Sequence, residues 1–176
     1  MNPKSKSMIR SGARAGTRTD RKPRVAAKMS PLAEPTACER CGAVYSRRAW
    51  RRPRAVTHAL LARAGWTVCP ACRQTERGQY YGRVVIRGAY ARANEAAIRR
   101  RIRNVAERAR FTQPERRVGE VARSGDVLEV FTTSQKLAHR IVNELKKAFR
   151  GRTSYAWADR DGSLFASWQR DDVPAT

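Results

Sequence analysis

The chain has 176 residues, of which 38 are Lys or Arg and 15 are Asp or Glu, so its formal net charge at pH 7 is +23. This length suits one ordinary domain, or a small module joined to a medium one. The excess of positive charge predicts a polyanionic partner. A membrane partner is disfavoured, because the sequence shows neither an apolar run of transmembrane length nor a basic helix with a bulky apolar face. Nucleic acid is therefore the first partner to consider.

Residues 1–33 are predicted to form a disordered basic arm. Up to residue 32 the chain has nine Lys or Arg, a single acidic residue, Asp20, and almost no bulky apolar side chains. Such a segment cannot bury enough surface to fold alone, so we interpret it as a solvated tail or as a segment that orders on RNA. A mitochondrial transit peptide has a similar composition, but this arm has no amphipathic period.

Four cysteines define the next unit, which we assign to residues 34–77. They form two CxxC pairs, Cys38 with Cys41 and Cys69 with Cys72, separated by 27 residues. A spacing of two residues lets both thiolates of a pair bind one metal ion, and two such pairs complete a tetrahedral four-sulfur site. No histidine has ligand spacing, which indicates a closed structural site rather than a catalytic one. The pattern predicts a zinc-ribbon-like module.

The compartment and the metal are linked predictions. The amino terminus has no apolar core of a secretory signal, so we expect a cytoplasmic, reducing location in which disulfides do not persist. One structural Zn²⁺ is the predicted cofactor. Iron in a rubredoxin-like site has the same spacing and stays open as an alternative, and a dithiol redox centre would need only one of the two pairs.

A basic cluster follows the first cysteine pair. Pro53 and Gly65 predict the two ends of a helix over residues 53–64, and residues 66–68 predict a short strand before the second pair. Guanidinium groups bind phosphate and an exposed Trp stacks on bases, so this cluster is the first predicted RNA contact. Alternatively, Trp50 belongs to the core of the small module. The predicted contact residues here are Arg47, Arg48, Trp50, Arg51, Arg52 and Arg54.

The third unit covers residues 78–170 and is followed by a short tail, residues 171–176. Its apolar periodicities predict a β-α-β-β-α-β order with one added strand, which is the ferredoxin-like, or split βαβ, arrangement of an α+β protein. In chain order the predicted elements are a strand at 80–87, a helix at 92–110, a hairpin of 116–123 and 126–132, a second helix, and a hairpin of 155–157 and 164–168. The second helix is predicted to begin at a Ser134 cap and to end at Gly151.

The first helix of this unit carries a second predicted RNA contact. Like charges at four-residue spacing destabilise a helix by a few tenths of a kcal/mol each. Such a cost is easier to understand if RNA phosphates neutralise the arginines. The predicted contact residues on this helix are Arg99, Arg100, Arg101 and Arg103.

The two CxxC pairs, the strand at 82–88, the Arg-rich helix and the segment 125–133 together resemble the amino-terminal part of the nonsense-mediated-decay protein three family. The arrangement is most similar to small bacterial proteins with the same layout. Members of the larger family act as adaptors on the large ribosomal subunit. The resemblance covers roughly residues 38–157 and implies that Cys38, Cys41, Cys69 and Cys72 are zinc ligands. The chain has four cysteines where eight are expected and has no room for the downstream adaptor domains, so the resemblance implies ribosome association but not the adaptor's export role.

The sequence thus favours a non-enzymatic, zinc-binding protein that associates with RNA, and with ribosomal RNA or the ribosome in particular. A DNA-binding or transcription-associated zinc protein is the alternative, although no helix presents an evident base-reading surface. The acidic residues are scattered, and no nucleophile motif or phosphate-cradling glycine motif is present, so we predict neither catalysis nor a small-molecule substrate. The sequence indicates no particular oligomeric state.

Overall fold

A computed structural model describes residues 32–52 and 56–172. The first part of this chain forms a small sheet with strand order β3-β2-β1-β4, in which β1 and β4 are parallel and the other neighbours are antiparallel. We call this sheet, with its two short helices, the cysteine module. Its elements are β1 (Thr36–Cys38), β2 (Val44–Ser46), β3 (Ala49–Arg51), α1 (His58–Arg63), β4 (Gly65–Thr67) and α2 (Pro70–Glu76).

The helices of the cysteine module differ from the prediction. α1 begins at His58 instead of residue 53, because the Thr57 side chain caps it by accepting a hydrogen bond from the Leu60 N–H at 3.2 Å. Pro53 lies outside the described residues. Gly65 is the first residue of β4 and not the cap of α1. α2 was not predicted, and it begins with Pro70, a residue suited to the first turn.

The second part forms a five-stranded sheet with strand order β6-β7-β5-β9-β8 and three helices, which we call the α/β layer. The protein is therefore α+β, as predicted, and its elements follow one another in the predicted order. They are β5 (Gly82–Arg87), α3 (Ala89–Ala93), α4 (Glu95–Thr112), β6 (Val118–Ser124), β7 (Val127–Thr132), α5 (Gln135–Phe149), β8 (Arg152–Trp157) and β9 (Leu164–Gln169). The predicted first helix is divided at Asn94 into α3 and α4, and the Ser134 side chain makes no capping hydrogen bond.

The ferredoxin-like strand order is not confirmed. The added strand β9 lies inside the sheet, parallel to β5 and antiparallel to β8, while β8 forms the edge. The burial of the two strands explains this arrangement, since β9 contributes Leu164, Ala166 and Trp168 to the core whereas β8 is mostly exposed. The more apolar strand thus takes the central position, a choice that local periodicity does not reveal.

The core of the α/β layer lies between one face of the sheet and the helices α4 and α5. Trp168 is fully buried, and its indole N–H donates to the Arg150 carbonyl at 2.6 Å. Burying each large apolar side chain contributes about 1.5–3 kcal/mol. The largest buried aliphatic side chains of this core are Ile86, Ile98, Leu137, Ile141, Leu145 and Leu164.

In the described part of the chain, no helix has both the length and the apolar character needed to cross a membrane.

Gly82 is a position of β5 where α5 packs closely against the strand. A Cβ atom at Gly82 would overlap the Thr132 hydroxyl and lie 2.6 Å from the Ala138 Cβ. We expect Gly82→Ala to lower the free energy of unfolding by about 1–3 kcal/mol, because a packed core accommodates an added methyl only by shifting the helix. Chemical denaturation measures this loss. Gly65→Ala is the matched control, since its Cβ would meet only the Thr36 hydroxyl at 3.3 Å; an equal loss in both variants would contradict the packing argument.

Candidate metal centre and basic surfaces

The strand pairing of the cysteine module brings the two CxxC pairs together. Cys38 ends β1 and Cys69 lies two residues after the end of β4, and these two strands are parallel neighbours with Cys38 opposite Thr67. Cys41 follows in the turn after β1, where Gly42 adopts a φ of 68° that glycine favours. Cys69 is the N-cap of α2, and Cys72 lies in its first turn.

The four sulfur atoms lie close enough together to surround one ion, and two of their separations match a tetrahedral site. The Sγ atoms of Cys38 and Cys72 are 3.8 Å apart, as are those of Cys41 and Cys69, and all four lie within 4.8 Å of one another. A tetrahedral ion with metal–sulfur bonds of about 2.3 Å requires sulfur–sulfur separations of about 3.8 Å. None of the four cysteines forms a disulfide. The group can therefore hold one metal ion.

The surroundings of the cysteines influence whether each thiol ionises. Burial opposes ionisation of Cys38, but N–H groups of Cys69, Arg40 and Cys41 outweigh it and lower the pKa of Cys38 to about 6. The Cys69 N–H lies 3.3 Å from the Cys38 sulfur. Burial raises the pKa values of Cys69 and Cys72 above the ordinary thiol value. A bound cation would offset this cost of placing several thiolates in one buried site.

Arg117 of the α/β layer reaches the sulfur cluster of the cysteine module. Its Nη2 donates to the Cys41 Sγ at 2.9 Å and approaches the Cys69 Sγ at 3.6 Å, while its Nη1 donates to the Cys72 Sγ at 3.2 Å. The Arg117 Nε donates to the Pro114 carbonyl at 2.9 Å, which fixes the guanidinium plane. Burial lowers the pKa of Arg117, but the contacts with Cys41 and the neighbouring sulfurs outweigh this effect and raise it.

Arg117 could not be identified from the sequence, because it is one of many arginines and lies 45 residues beyond Cys72 along the chain. Its role resembles that of an outer-shell partner, a group that donates hydrogen bonds to metal ligands and adjusts their charge. Four thiolates around a divalent ion have a net charge of about −2. The Arg117 guanidinium would compensate part of that charge without occupying a coordination position.

The predicted contacts near the first cysteine pair surround the β2–β3 hairpin. Arg47 and Arg48 form its two-residue turn with φ values of 50° and 58°, and their N–H groups donate to the Glu34 carboxylate at 2.7 and 2.8 Å. These hydrogen bonds lower the pKa of Glu34, and the one from Arg48 has the larger effect. Such positive φ values strain a residue other than glycine, so the turn keeps two exposed arginines at a conformational cost.

Trp50 has a mixed environment. It packs against the cysteine cluster and lies 5.6 Å from the Tyr45 ring, as expected for a core residue of the module. Together with Arg51 it also lines a cavity of about 330 Å³ between β3 and the carboxyl end of α4. Arg52 is exposed, and Arg54 lies outside the described residues.

The four predicted arginines of α4 fall into two pairs. Arg99 donates to Glu95 at 2.7 Å, and Arg101 donates at 2.7 Å to Glu144 of α5, so these two have partners within the fold. Arg100 and Arg103 are exposed, and neither forms an ion pair with any described residue. Arg103 lines a cavity of about 290 Å³ whose other basic residues are Arg110 and Arg117.

No protein-family model matches the chain, and no curated protein matches its sequence.

Proposed function

We propose that this is a zinc-binding protein and that the ion has a structural role. The four-sulfur donor set and the tetrahedral separations support zinc, which favours thiolate ligands and has no redox chemistry of its own. Cys38, Cys41, Cys69 and Cys72 would supply all four coordination positions. Native mass spectrometry and metal analysis of protein purified without added metal test this assignment, and iron in place of zinc would overturn it.

The second part of the proposal is that the protein binds RNA and associates with ribosomal RNA or the ribosome in the cytoplasm. The observation that carries it is the net charge of +23 combined with exposed arginines that have no acidic partner among the described residues. Arg103, Arg110 and Arg117 line one cavity beside the metal centre, where they outnumber the acidic Glu107, and such an excess of guanidinium groups suits phosphate. The resemblance to the amino-terminal part of the nonsense-mediated-decay protein three family is consistent with a ribosomal target and forms part of this proposal.

Binding without catalysis completes the proposal. A metal ion held by four cysteines has no open position for a substrate or an activated water molecule. The two cavities beside the metal centre are lined by four arginines in total, and each has a single carboxylate among its described residues, Glu115 in one and Glu107 in the other. Neither cavity therefore pairs two carboxylates, as acid–base catalysis by carboxyl groups commonly does. RNA turnover by highly purified protein, abolished by a single carboxylate substitution, would contradict this part.

Fractionation of native lysate on sucrose gradients tests the ribosomal association. We expect the protein to sediment with one ribosomal particle at low salt and to dissociate steeply as salt rises, because displacement of counterions dominates such binding. The distribution is read by immunoblotting across free, subunit, monosome and polysome fractions. Absence from every ribosomal fraction at low salt would contradict the association and would favour the DNA-binding alternative.

The arginines of α4 provide a sharper test of RNA binding. We expect the double change Arg100→Ala and Arg103→Ala to reduce the slope of log affinity against log salt by about 0.7–0.9 for each RNA phosphate that these arginines neutralise. Fluorescence anisotropy with structured RNA between about 50 and 200 mM salt measures the slope. Arg99→Ala is the matched control, because Arg99 is paired with Glu95 on the same helix. An unchanged slope in the double variant would remove this surface from the proposal.

A further inference from the structure

One face of the five-stranded sheet carries large side chains that no helix of the described chain covers. The helices α4 and α5 pack on the other face, against Val84 and Ile86 of β5. On the uncovered face, strand register places Phe131 of β7 and Phe165 of β9 on either side of Arg83 in β5. Phe165 is 43% exposed and Phe131 is half-buried, so two aromatic rings face outward in the middle of the sheet.

The Arg83 guanidinium is held between these two rings. Its Cζ lies 5.8 Å from the centroid of Phe131 and 5.5 Å from that of Phe165, within the range of cation–π contacts. The Arg83 Nη2 also donates to the Glu129 carboxylate at 2.5 Å. The guanidinium thus has a fixed position on the sheet.

Tyr80 extends this arrangement across β6. Its ring lies 5.7 Å from Phe131, and a Cβ atom on Gly119 would overlap the Tyr80 ring atoms. The absence of a side chain at Gly119 is therefore what allows Tyr80 to lie against the strand. We call Tyr80, Phe131, Arg83 and Phe165 the aromatic row.

The aromatic row borders a cavity of about 260 Å³ at the end of the sheet where β5 and β9 begin. The four residues of the row all line this cavity, together with polar and small groups that include Ser163 and Ala158. The site therefore offers flat π faces, a positively charged plane and a nearby hydroxyl within one concave surface.

We infer that the aromatic row binds unpaired bases of single-stranded RNA by stacking. This inference rests on the proposed RNA binding and specifies which RNA form the sheet recognises. Bases stack on aromatic rings and on guanidinium planes whatever their sequence, and the net charge of +23 attracts the connecting phosphates. Duplex RNA keeps its bases paired and stacked on one another, so its bases cannot reach the row.

The polar groups of the same face favour nucleotides over an apolar protein partner. Further along the same face, Glu129 and Ser167 lie opposite Val85 of β5 and Gln169 lies opposite Arg87, and Arg83 of the row is itself charged. These polar groups form hydrogen bonds with water in the free protein. An apolar partner would bury them without offering new hydrogen bonds, and burying unpaired polar groups costs free energy. Nucleobases offer acceptors and donors at their edges, so they cover the rings while satisfying the neighbouring polar groups.

Anisotropy measurements on the zinc-loaded full chain test the inference with two labelled probes. One is an oligouridylate of about 12 nucleotides, a length within the usual site sizes of single-strand binders, and the other is a blunt-ended RNA duplex that has no unpaired bases. We expect Phe165→Ala to weaken binding of the single strand roughly tenfold, in line with the loss of one stacked base, and to leave the duplex affinity unchanged. Phe165→Tyr should restore the affinity, because it restores the ring. Trp157→Ala is the matched control, since Trp157 is 60% exposed on the opposite side of the same sheet.

Gly119→Ala supplies an independent variant, which displaces Tyr80 without removing any aromatic side chain. It should also weaken binding of the single strand alone. Circular dichroism and thermal melting check that each variant is folded; Phe165 is exposed, so its removal should leave the fold intact.

The outcomes separate this inference from the proposed function. If the parent protein binds RNA but Phe165→Ala and Gly119→Ala bind the single strand as tightly as the parent, the stacking site is wrong and the RNA-binding proposal stands. Equal losses for single strand and duplex would also overturn it. If the parent protein binds neither probe at low salt, about 50 mM, both the proposed function and this inference fail.

Discussion

Removal of the metal ion is expected to unfold the cysteine module while the α/β layer keeps its fold. The buried centre of the module consists of three cysteines with Ala43 and Ala71, and partly buried Cys41, Trp50 and Val68 pack around it. Such a core cannot offset the loss of chain entropy, whereas a structural zinc ion contributes about 10–16 kcal/mol to folding in small zinc modules. The core of the α/β layer contains Trp168 and many buried aliphatic side chains and does not include the metal site.

Hydrogen exchange before and after treatment with a strong chelator measures this effect. Amides of β1, β2 and α2 should lose protection in the chelated protein, while those of β7 and α5 should retain it. Cys72→Ser should reproduce the change without chelator, because it removes one ligand. Thr75→Ser, one turn further along α2, is the control that leaves all four ligands in place. Unchanged protection of the module in the metal-free protein would show that the ion does not stabilise it.

Replacement of Arg117 is expected to have the second largest effect. Arg117→Ala should weaken metal affinity about 10- to 100-fold, because outer-shell hydrogen bonds to ligands typically contribute this much. Arg117→Lys should recover only part of the loss. A single ammonium group cannot reproduce the planar fork that contacts Cys41 and Cys72 through separate nitrogens.

Competition with a chromogenic zinc chelator measures the affinity of each variant. Arg116→Ala is the matched control: it removes an arginine at the adjacent position, and the only ion-pair partner of Arg116 among the described residues is Glu115, at 3.9 Å. If Arg117→Ala changes the metal affinity by less than about twofold, Arg117 does not support the metal ligands. Loss of metal in both variants would point to a general effect of charge rather than to the sulfur contacts.

Arg117 also links the cysteine module to the α/β layer. Its backbone N–H donates to the Thr133 hydroxyl at 2.9 Å within the α/β layer, and its guanidinium contacts sulfur atoms of the cysteine module. The same side chain lines the basic cavity beside Arg103 and Arg110. The metal centre is thereby connected to one of the surfaces proposed to bind RNA, so a correctly folded centre helps to fix that surface.

The grouping of the four cysteines and most of the main elements could be predicted from the sequence because their signals are local. Each CxxC pair spans four residues, and the apolar period of α5 is complete within one segment ending near Gly151. The hairpin around Gly125 is equally local, with a φ of 57° at the predicted turn. Such features depend on neighbours in the chain, so periodicity and spacing were sufficient to identify them.

The position of β9, the contacts of Arg117 and the uncovered sheet face depend on residues far apart in sequence. β9 rather than β8 takes the inner position because its side chains fill the core better. This preference depends on the side chains of two whole strands and not on any local pattern. Arg117 was indistinguishable from the other arginines until the fold placed it beside the sulfur atoms. The sequence by itself thus determined the two cysteine pairs, the long helices of the α/β layer and the excess of positive charge. Only the tertiary structure decided which arginine lies against the four cysteines and which aromatic rings face outward, because both follow from long-range packing.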